Sequence, residues 1–167
     1  MSYEKKKTGR IACLFLTALI WGTAFVAQSE GNVMGPFTFN GLRNLLGFFA
    51  LIPFIRFYYG DFHVDTDTLR GGISCGLCLF LASNTQQIAL LYTTPGKTGF
   101  ITACYMIFVP IAGIFMGRRI GLKTGVAVLA SALGLYLLCI PSGQSLSGVN
   151  RGDVLSLICA LFYTLHI

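Results

Sequence analysis

The stretch "ALLYTTPGKTGFITACYMIFVPIAGIFMGRR", residues 89–119, holds a turn between two uncharged runs. Lys97 is the only charged residue between Arg70 and Arg118, and it divides that interval into residues 71–96 and 98–117. Each piece is long enough to cross a bilayer, whose hydrocarbon core of about 30 Å needs about 20 helical residues. In "TTPGK", residues 93–97, Pro95 and Gly96 end one helix and start the next. The stretch therefore reads as two membrane helices joined by a tight turn.

The pattern continues on both sides. Residues 11–29 and 124–150 are also uncharged, and residues 33–55 form an apolar run interrupted by Arg43. Hydrophobic residues make up 54% and charged residues 11% of the 167 positions. A soluble domain carries about 25% charged residues, so this chain has too little charge to cover a water-soluble globule. The reading is an all-α polytopic membrane protein with a cytoplasmic tail over residues 1–10 and a five-helix unit over 11–141. Its helices are expected at 11–30, 34–57, 72–93, 98–117 and 123–141. A linker at 142–152 leads to the start of a sixth helix at 153–167. The 14 uncharged residues after Asp153 reach only roughly 21 Å, short of a bilayer crossing. A cleavable signal is disfavoured because "TAFVAQ", residues 23–28, puts Phe25 or Val26 where a small residue belongs.

Orientation follows from the basic residues. With the amino terminus inside, Lys5, Lys6, Lys7, Arg10, Arg56, Arg70, Arg118, Arg119 and Lys123 are cytoplasmic, and Lys97 and Arg151 are outside. Cytoplasmic loops carry this excess of Lys and Arg, so the net charge of +6 is a topology signal. It calls for no nucleic acid, and no basic stripe interleaved with aromatics suggests one. Asp61, Asp65 and Asp67 share the long cytoplasmic loop with Phe57, Tyr58 and Tyr59, rings that suit the headgroup layer. The expected location is a cell membrane, crossed several times.

Five helices is an odd number, and an odd unit duplicated in one chain brings its second copy in upside down. Pairing Gly9 with Gly152 lays "GRIACLFLTALIWGTAFV" over "GDVLSLICALFYTLHI" with Leu14 on Leu157. "WGTAFVAQSE", "GPFTFNGLRNLLGFFALIPF", "GVAVLASALGLYLLCI" and, most specifically, residues 89–119 resemble the EamA-type transporters of the drug/metabolite transporter superfamily. That resemblance covers about residues 9–167. It implies ten helices in two inverted five-helix repeats, so the chain resembles the first repeat plus the beginning of the second, a truncated transporter. Many members have a Glu just before the basic pair at Arg118 and Arg119, where this chain has Gly117.

Other signals are structural. Ala18 and Gly22, Gly72 and Gly76, Gly113 and Gly117, Gly121 and Gly125, and Ala130 and Gly134 are small residues four apart, a spacing that admits close helix approach. Cys75 and Cys78 form C-x-x-C inside an apolar helix with no second pair, so neither a zinc nor a redox site is supported and no cofactor is expected. The six cysteines read as packing residues.

Polar groups inside the spans are the candidate site, since each needs a partner or a wet cavity. Within "ASNTQQIAL", residues 82–90, Asn84 and Gln87 share a face. Thr98, Thr102 and Tyr105 share another, and Trp21 and Gln28 a third. Either these side chains line one central cavity or they join neighbouring helices. Arg43 either snorkels, pairs with Glu30, or faces the cavity as a cation. Lys97 presents the same choice at the substrate entry. Pro110 frees the carbonyl of Met106, which predicts a kink there. The spans hold no Asp or Glu in mid-membrane, with Glu30 marginal.

Two outer-half cations and no buried acid favour a substrate with a carboxylate, such as an amino acid or related metabolite. The partners expected are the bilayer, that small molecule and a second repeat. A complete homo-oligomeric membrane protein is the alternative. An intramembrane enzyme is disfavoured, because there is no Asp pair in the spans and His166 stands alone.

The topology predicts a labelling pattern. In a background without native cysteines, Gly96→Cys and Ser145→Cys react with an impermeant thiol reagent added to intact cells, and Thr66→Cys does not. Labelling at residue 66 would reverse the orientation.

Overall fold

The computed structural model describes residues 2–60, 64–118, 121–139 and 149–167. All regular structure among them is helical: α1 (Ser2–Gly31), α2 (Pro36–Tyr59), α3 (Thr66–Ala89), α4 (Pro95–Thr102), α5 (Tyr105–Phe115), α6 (Leu122–Cys139) and α7 (Arg151–His166). Three stretches are long and apolar enough to cross a membrane: Thr8–Met34, Pro36–Tyr59 and Pro95–Phe115, of 27, 24 and 21 residues. At about 1.5 Å per residue they reach about 40, 36 and 32 Å. The apolar part of α6 among the described residues, Leu122–Gly134, is shorter. Asp61, Arg119 and the expected linker up to residue 148 lie outside the described residues.

The helix ends follow from local chemistry. A 3-10 turn at Asn32–Met34 closes on the Gly35 N–H, which donates to the Asn32 carbonyl at 2.9 Å. Gly35 takes φ +86, which side chains resist, and Pro36 then starts α2 with its φ already set. Asp65 caps α3 by accepting from the Thr68 N–H at 3.0 Å. Hydrogen bonds from Thr68 hold its carboxyl below the usual carboxylate range. That contribution to stability is present above the ordinary value and is lost as pH falls through the lowered one. With this cap α3 begins at Thr66 rather than near residue 72.

The fourth expected span is two helices. The ladder tightens to i→i−3 bonds from Cys104 to Ile101 and from Met106 to Ala103, at 3.0 Å each, so the break falls at Ala103–Cys104. The kink expected at Met106 is not where the helix breaks, and α5 runs unbroken through Pro110. The end of α5 is a Schellman motif, with Arg118 N–H on the Gly113 carbonyl at 2.8 Å and Gly117 N–H on Ile114 at 2.9 Å. Gly117 sits there at φ +79, a conformation in which a side chain such as Glu is strained.

The interior gathers around the C-terminal half of α3. Helix α7 runs antiparallel to it: Gly152 lies against Ala89 and Thr93, and His166 Nδ1 lies 3.1 Å from the Cys75 carbonyl. Helices α4 and α5 also pack on α7, and α2 on α3. The stretch expected as the beginning of a crossing is thus a central packing element. Its helix starts at Arg151, two residues early, because Asn150 and Asp153 form a reciprocal capping box at 3.0 Å each way.

Close approach uses small residues, though not those expected. A Cβ added at Gly22, Gly72, Gly76, Gly121, Gly125 or Gly134 would meet nothing within 4 Å, and one at Gly113 would meet only the Arg118 side chain. The helix contact is instead on α7, where Gly152, Ser156 and Ala160, at i, i+4 and i+8, are all buried.

A Cβ at Gly152 would lie 2.7 Å from the Ala89 carbonyl oxygen, a backbone atom that cannot swing aside. Gly152→Ala is therefore expected to destabilise by about 1–3 kcal/mol, the usual cost of overpacking. Gly72→Ala, into open space, is expected to be neutral or slightly stabilising. Unfolding midpoints in detergent measure the difference.

Candidate functional site

Among the described residues, ten buried side chains are polar or charged and seven are hydrophobic. Large apolar side chains such as Leu14, Phe37, Phe49 and Leu129 face outward. This is the reverse of a water-soluble core and suits a bundle whose surroundings are as apolar as leucine.

The polar interior is a seam built on α3. Gln87 is fully buried, and its Nε2 donates to the Gln28 carbonyl at 2.7 Å and to Asn32 Oδ1 at 2.8 Å. Asn32 Nδ2 returns a bond to the Gln87 carbonyl at 3.3 Å. About one turn earlier, Asn40 of α2 donates Nδ2 to the Ser83 carbonyl at 2.9 Å and to Asn84 Oδ1 at 3.4 Å. Asn84 Nδ2 donates to Phe80 of its own helix. Toward α4, Gln86 Nε2 reaches Thr102 Oγ1 at 3.3 Å. One polar run on α3 thus ties down α1, α2 and α4.

At the end of the seam near the α3–α4 turn lies an ion pair. Lys97 Nζ is 2.6 Å from Asp153 Oδ2, with the carboxylate side chain 7% exposed and the lysine 26%. Asp153 also accepts from Thr93 Oγ1 at 3.1 Å and from the Asn150 N–H at 3.0 Å. Its position in the first turn of α7 suits a negative charge.

Among the described residues, four buried side-chain oxygens have no hydrogen-bond partner: Gln28 Oε1, Asn40 Oδ1 and Gln87 Oε1 of the seam, and Thr98 Oγ1 of α4. An unsatisfied buried group costs about 1–3 kcal/mol, so a native structure with four of them needs a reason. The amide orientations of Asn40 and Gln87 are set by their environment, because each Nδ2 or Nε2 donates to a backbone carbonyl that only accepts.

A family model described as the EamA-like transporter family matches residues 9–140. The chain belongs to the EamA-like transporter family. It is 36% identical over 152 residues to a protein named "Uncharacterized transporter" from Archaeoglobus fulgidus, covering 90% of this chain and 45% of the relative. A second Archaeoglobus fulgidus protein of the same name is 28% identical over 156 residues, covering 92% of this chain and 54% of the relative. The chain spans about half the length of these relatives. No solved structure matches it. Residues 9–140 take in α1 from Gly9 onward and α2 through α6, so α7 and its Asp153 lie beyond the matched EamA region.

The structure brings together Gln28 and Gln87 directly, and Asn84 and Thr102 each with a neighbour in the same seam. Trp21 stands apart, 61% exposed, although it lies on the same helix as Gln28. Tyr105 falls beyond the break at Ala103–Cys104 and turns to α7, with its ring 6.1 Å from that of Tyr163. Arg43 is half-buried and lies 6.0 Å from the centre of the Phe39 ring, with no ion pair to the exposed Glu30. Lys97 is held by Asp153. The sequence reading missed Asn40, Gln86, Thr93 and Asp153. Gln86 lies inside the polar run of residues 83–87, and Asp153 closes the α7 capping box that Asn150 begins.

Two expectations follow for stability. Gln87→Ala removes ties to α1 and is expected to cost about 0.6 kcal/mol, with about 1.7 kcal/mol as the upper end for such bonds between membrane helices. Lys97→Met leaves Asp153 without its cation and is expected to cost about 1.5–3 kcal/mol, with Lys97→Met/Asp153→Asn recovering part of the loss. Unfolding midpoints of the three variants in detergent test both.

Proposed function

We propose that the chain is one five-crossing repeat of a transporter, with the first helix of the next. In this reading it moves a small organic metabolite, such as an amino acid or related compound, across the cytoplasmic membrane by alternating access. Helices α1, α2, α3, α4 with α5, and α6 are the five crossings, with the amino terminus in the cytoplasm. A second repeat of inverted orientation completes the pathway, and the bilayer surrounds the apolar perimeter.

The observation that carries this reading is the polar seam itself. Buried polar groups in a membrane bundle are costly and mark substrate or ion pathways when they face its interior. Here they draw on α1, α2, α3, α4 and α7, and four oxygens remain without donors. Substrate sites in such transporters lie at the interface between repeats near the bilayer midplane. Helix α7 packs on α3, and that contact supports reading α7 as the start of a second repeat seated against the first.

Reconstitution tests the reading. Proteoliposomes holding the chain joined to its second repeat are expected to show metabolite flux, and liposomes holding residues 1–167 alone are expected to show none despite insertion. Flux from residues 1–167 alone would favour the homo-oligomer instead.

A further inference from the structure

Helix α1 is packed at one end only. Residues 8–23 are all exposed, and burial begins at Ala24 and Phe25 and deepens at Gln28. Along the free end runs an open groove lined by Gly9, Arg10, Cys13, Leu14 and Thr17. A Cβ added at Gly9 would meet nothing within 4 Å. Thr17 Oγ1 donates to the Cys13 carbonyl at 2.8 Å, so its hydroxyl is spent on its own helix. Gly9, Cys13 and Thr17, at i, i+4 and i+8, thus form a face of small side chains that no described residue covers.

The same face is covered where it recurs in the chain. Pairing Gly9 with Gly152 sets Cys13 on Ser156 and Thr17 on Ala160. On α7 those three positions are buried and seat the helix on α3, with Gly152 against the Ala89 carbonyl and Thr93. Ser156, like Thr17, turns its hydroxyl to its own helix, donating to the Gly152 carbonyl at 2.7 Å. The match differs at one turn, where Leu16 stands in the place of the buried Cys159 and calls for a smaller side chain opposite it.

Contacts across a two-fold axis are reciprocal. When the first helix of one inverted repeat lies on the third helix of the other, the converse contact forms as well. Here α7 lies on α3, so the converse pair is α1 with the third helix of the second repeat. We infer that Gly9, Cys13 and Thr17 are the seat on α1 for that third helix, in the antiparallel sense in which α7 lies on α3. This inference rests on the transporter reading and names the second surface through which the two repeats meet. The chain spans about half the length of its relatives, which leaves the length of one further repeat for the occupant.

Thiol cross-linking in the chain joined to its second repeat tests the seat, with Cys13 kept as the only native cysteine. Single cysteines are placed along the third helix of the second repeat, and a short bifunctional thiol reagent is added to membranes. Cys13 is expected to link to one face of that helix at helical spacing. Ile11→Cys with Cys13→Ser, which moves the thiol to the far side of α1, is expected to link severalfold less. Gly9→Leu is expected to weaken the Cys13 links severalfold and lower the unfolding midpoint of the joined protein. In residues 1–167 alone the same substitution enters open space, so the midpoint is expected to hold or rise. No link from Cys13 to the third helix, equal links from residue 11, or Cys13 linking two copies of the chain instead would each overturn the seat. Flux that persists without the Cys13 links removes the seat and leaves the transporter reading standing. Flux from residues 1–167 alone removes that reading and the occupant with it.

Discussion

The Asp153 carboxylate satisfies three demands at once. It accepts the Asn150 N–H that closes the α7 capping box, the Thr93 hydroxyl in the α3–α4 turn, and the Lys97 ammonium in the first turn of α4. One side chain thereby fixes where α7 starts and sets it against the α3–α4 turn. Gly152, just before it, lets the backbone of α7 come close to the Ala89 carbonyl. A charge with 7% exposure is tolerable only because all of these donors are in place. From this anchor α7 runs antiparallel down α3, and the order of contacts from Gly152 to His166 follows.

The rest of the interior obeys the same rule. A helix bundle among lipids gains little from hiding leucine, because its surroundings are equally apolar. What holds helices together is close packing at small residues and hydrogen bonds between polar ones. Gly152, Ser156 and Ala160 supply the first, and Asn40, Gln86 and Gln87 supply the second. The same residues create the candidate site, since a carboxamide that spends its nitrogen on a neighbouring helix keeps its oxygen. The Gln87 and Asn40 side chains are thus joints on one side and open acceptors on the other.

Much of this was legible in the sequence. Uncharged runs located α1, α2 and α6 within a few residues at most well-described ends, apart from the start of α1, which extends through the basic tail. Hydropathy works there because charge is excluded from the crossing itself. It reads less where chemistry at the ends decides: the Asp65 cap starts α3 early, and tightened turns at Ala103–Cys104 divide the fourth span. Nor does it tell which small residues face a neighbour, so the glycine pairs on α1, α3 and α6 were as eligible as the Gly152 series. Asp153 was overlooked for a physical reason, because a charge reads as the edge of a membrane segment until its lysine partner, 56 positions away, is seen beside it. Of the candidate residues, Gln28, Asn84, Gln87 and Thr102 share the seam, whereas Trp21 and Tyr105 shared a helical spacing with it but not a place in it.

The antiparallel seating of α7 on α3 is the arrangement that the Asp153 anchor sets. Thiol cross-linking in membranes tests it most directly. Cys75 is kept as the only native cysteine and His166→Cys is added, since the structure sets His166 Nδ1 3.1 Å from the Cys75 carbonyl. A short bifunctional thiol reagent is expected to join residues 75 and 166 within one chain, and to leave the pair unjoined when Cys13 replaces Cys75 as the retained cysteine. Absence of the 75–166 link, or equal linking from Cys13, would contradict the account.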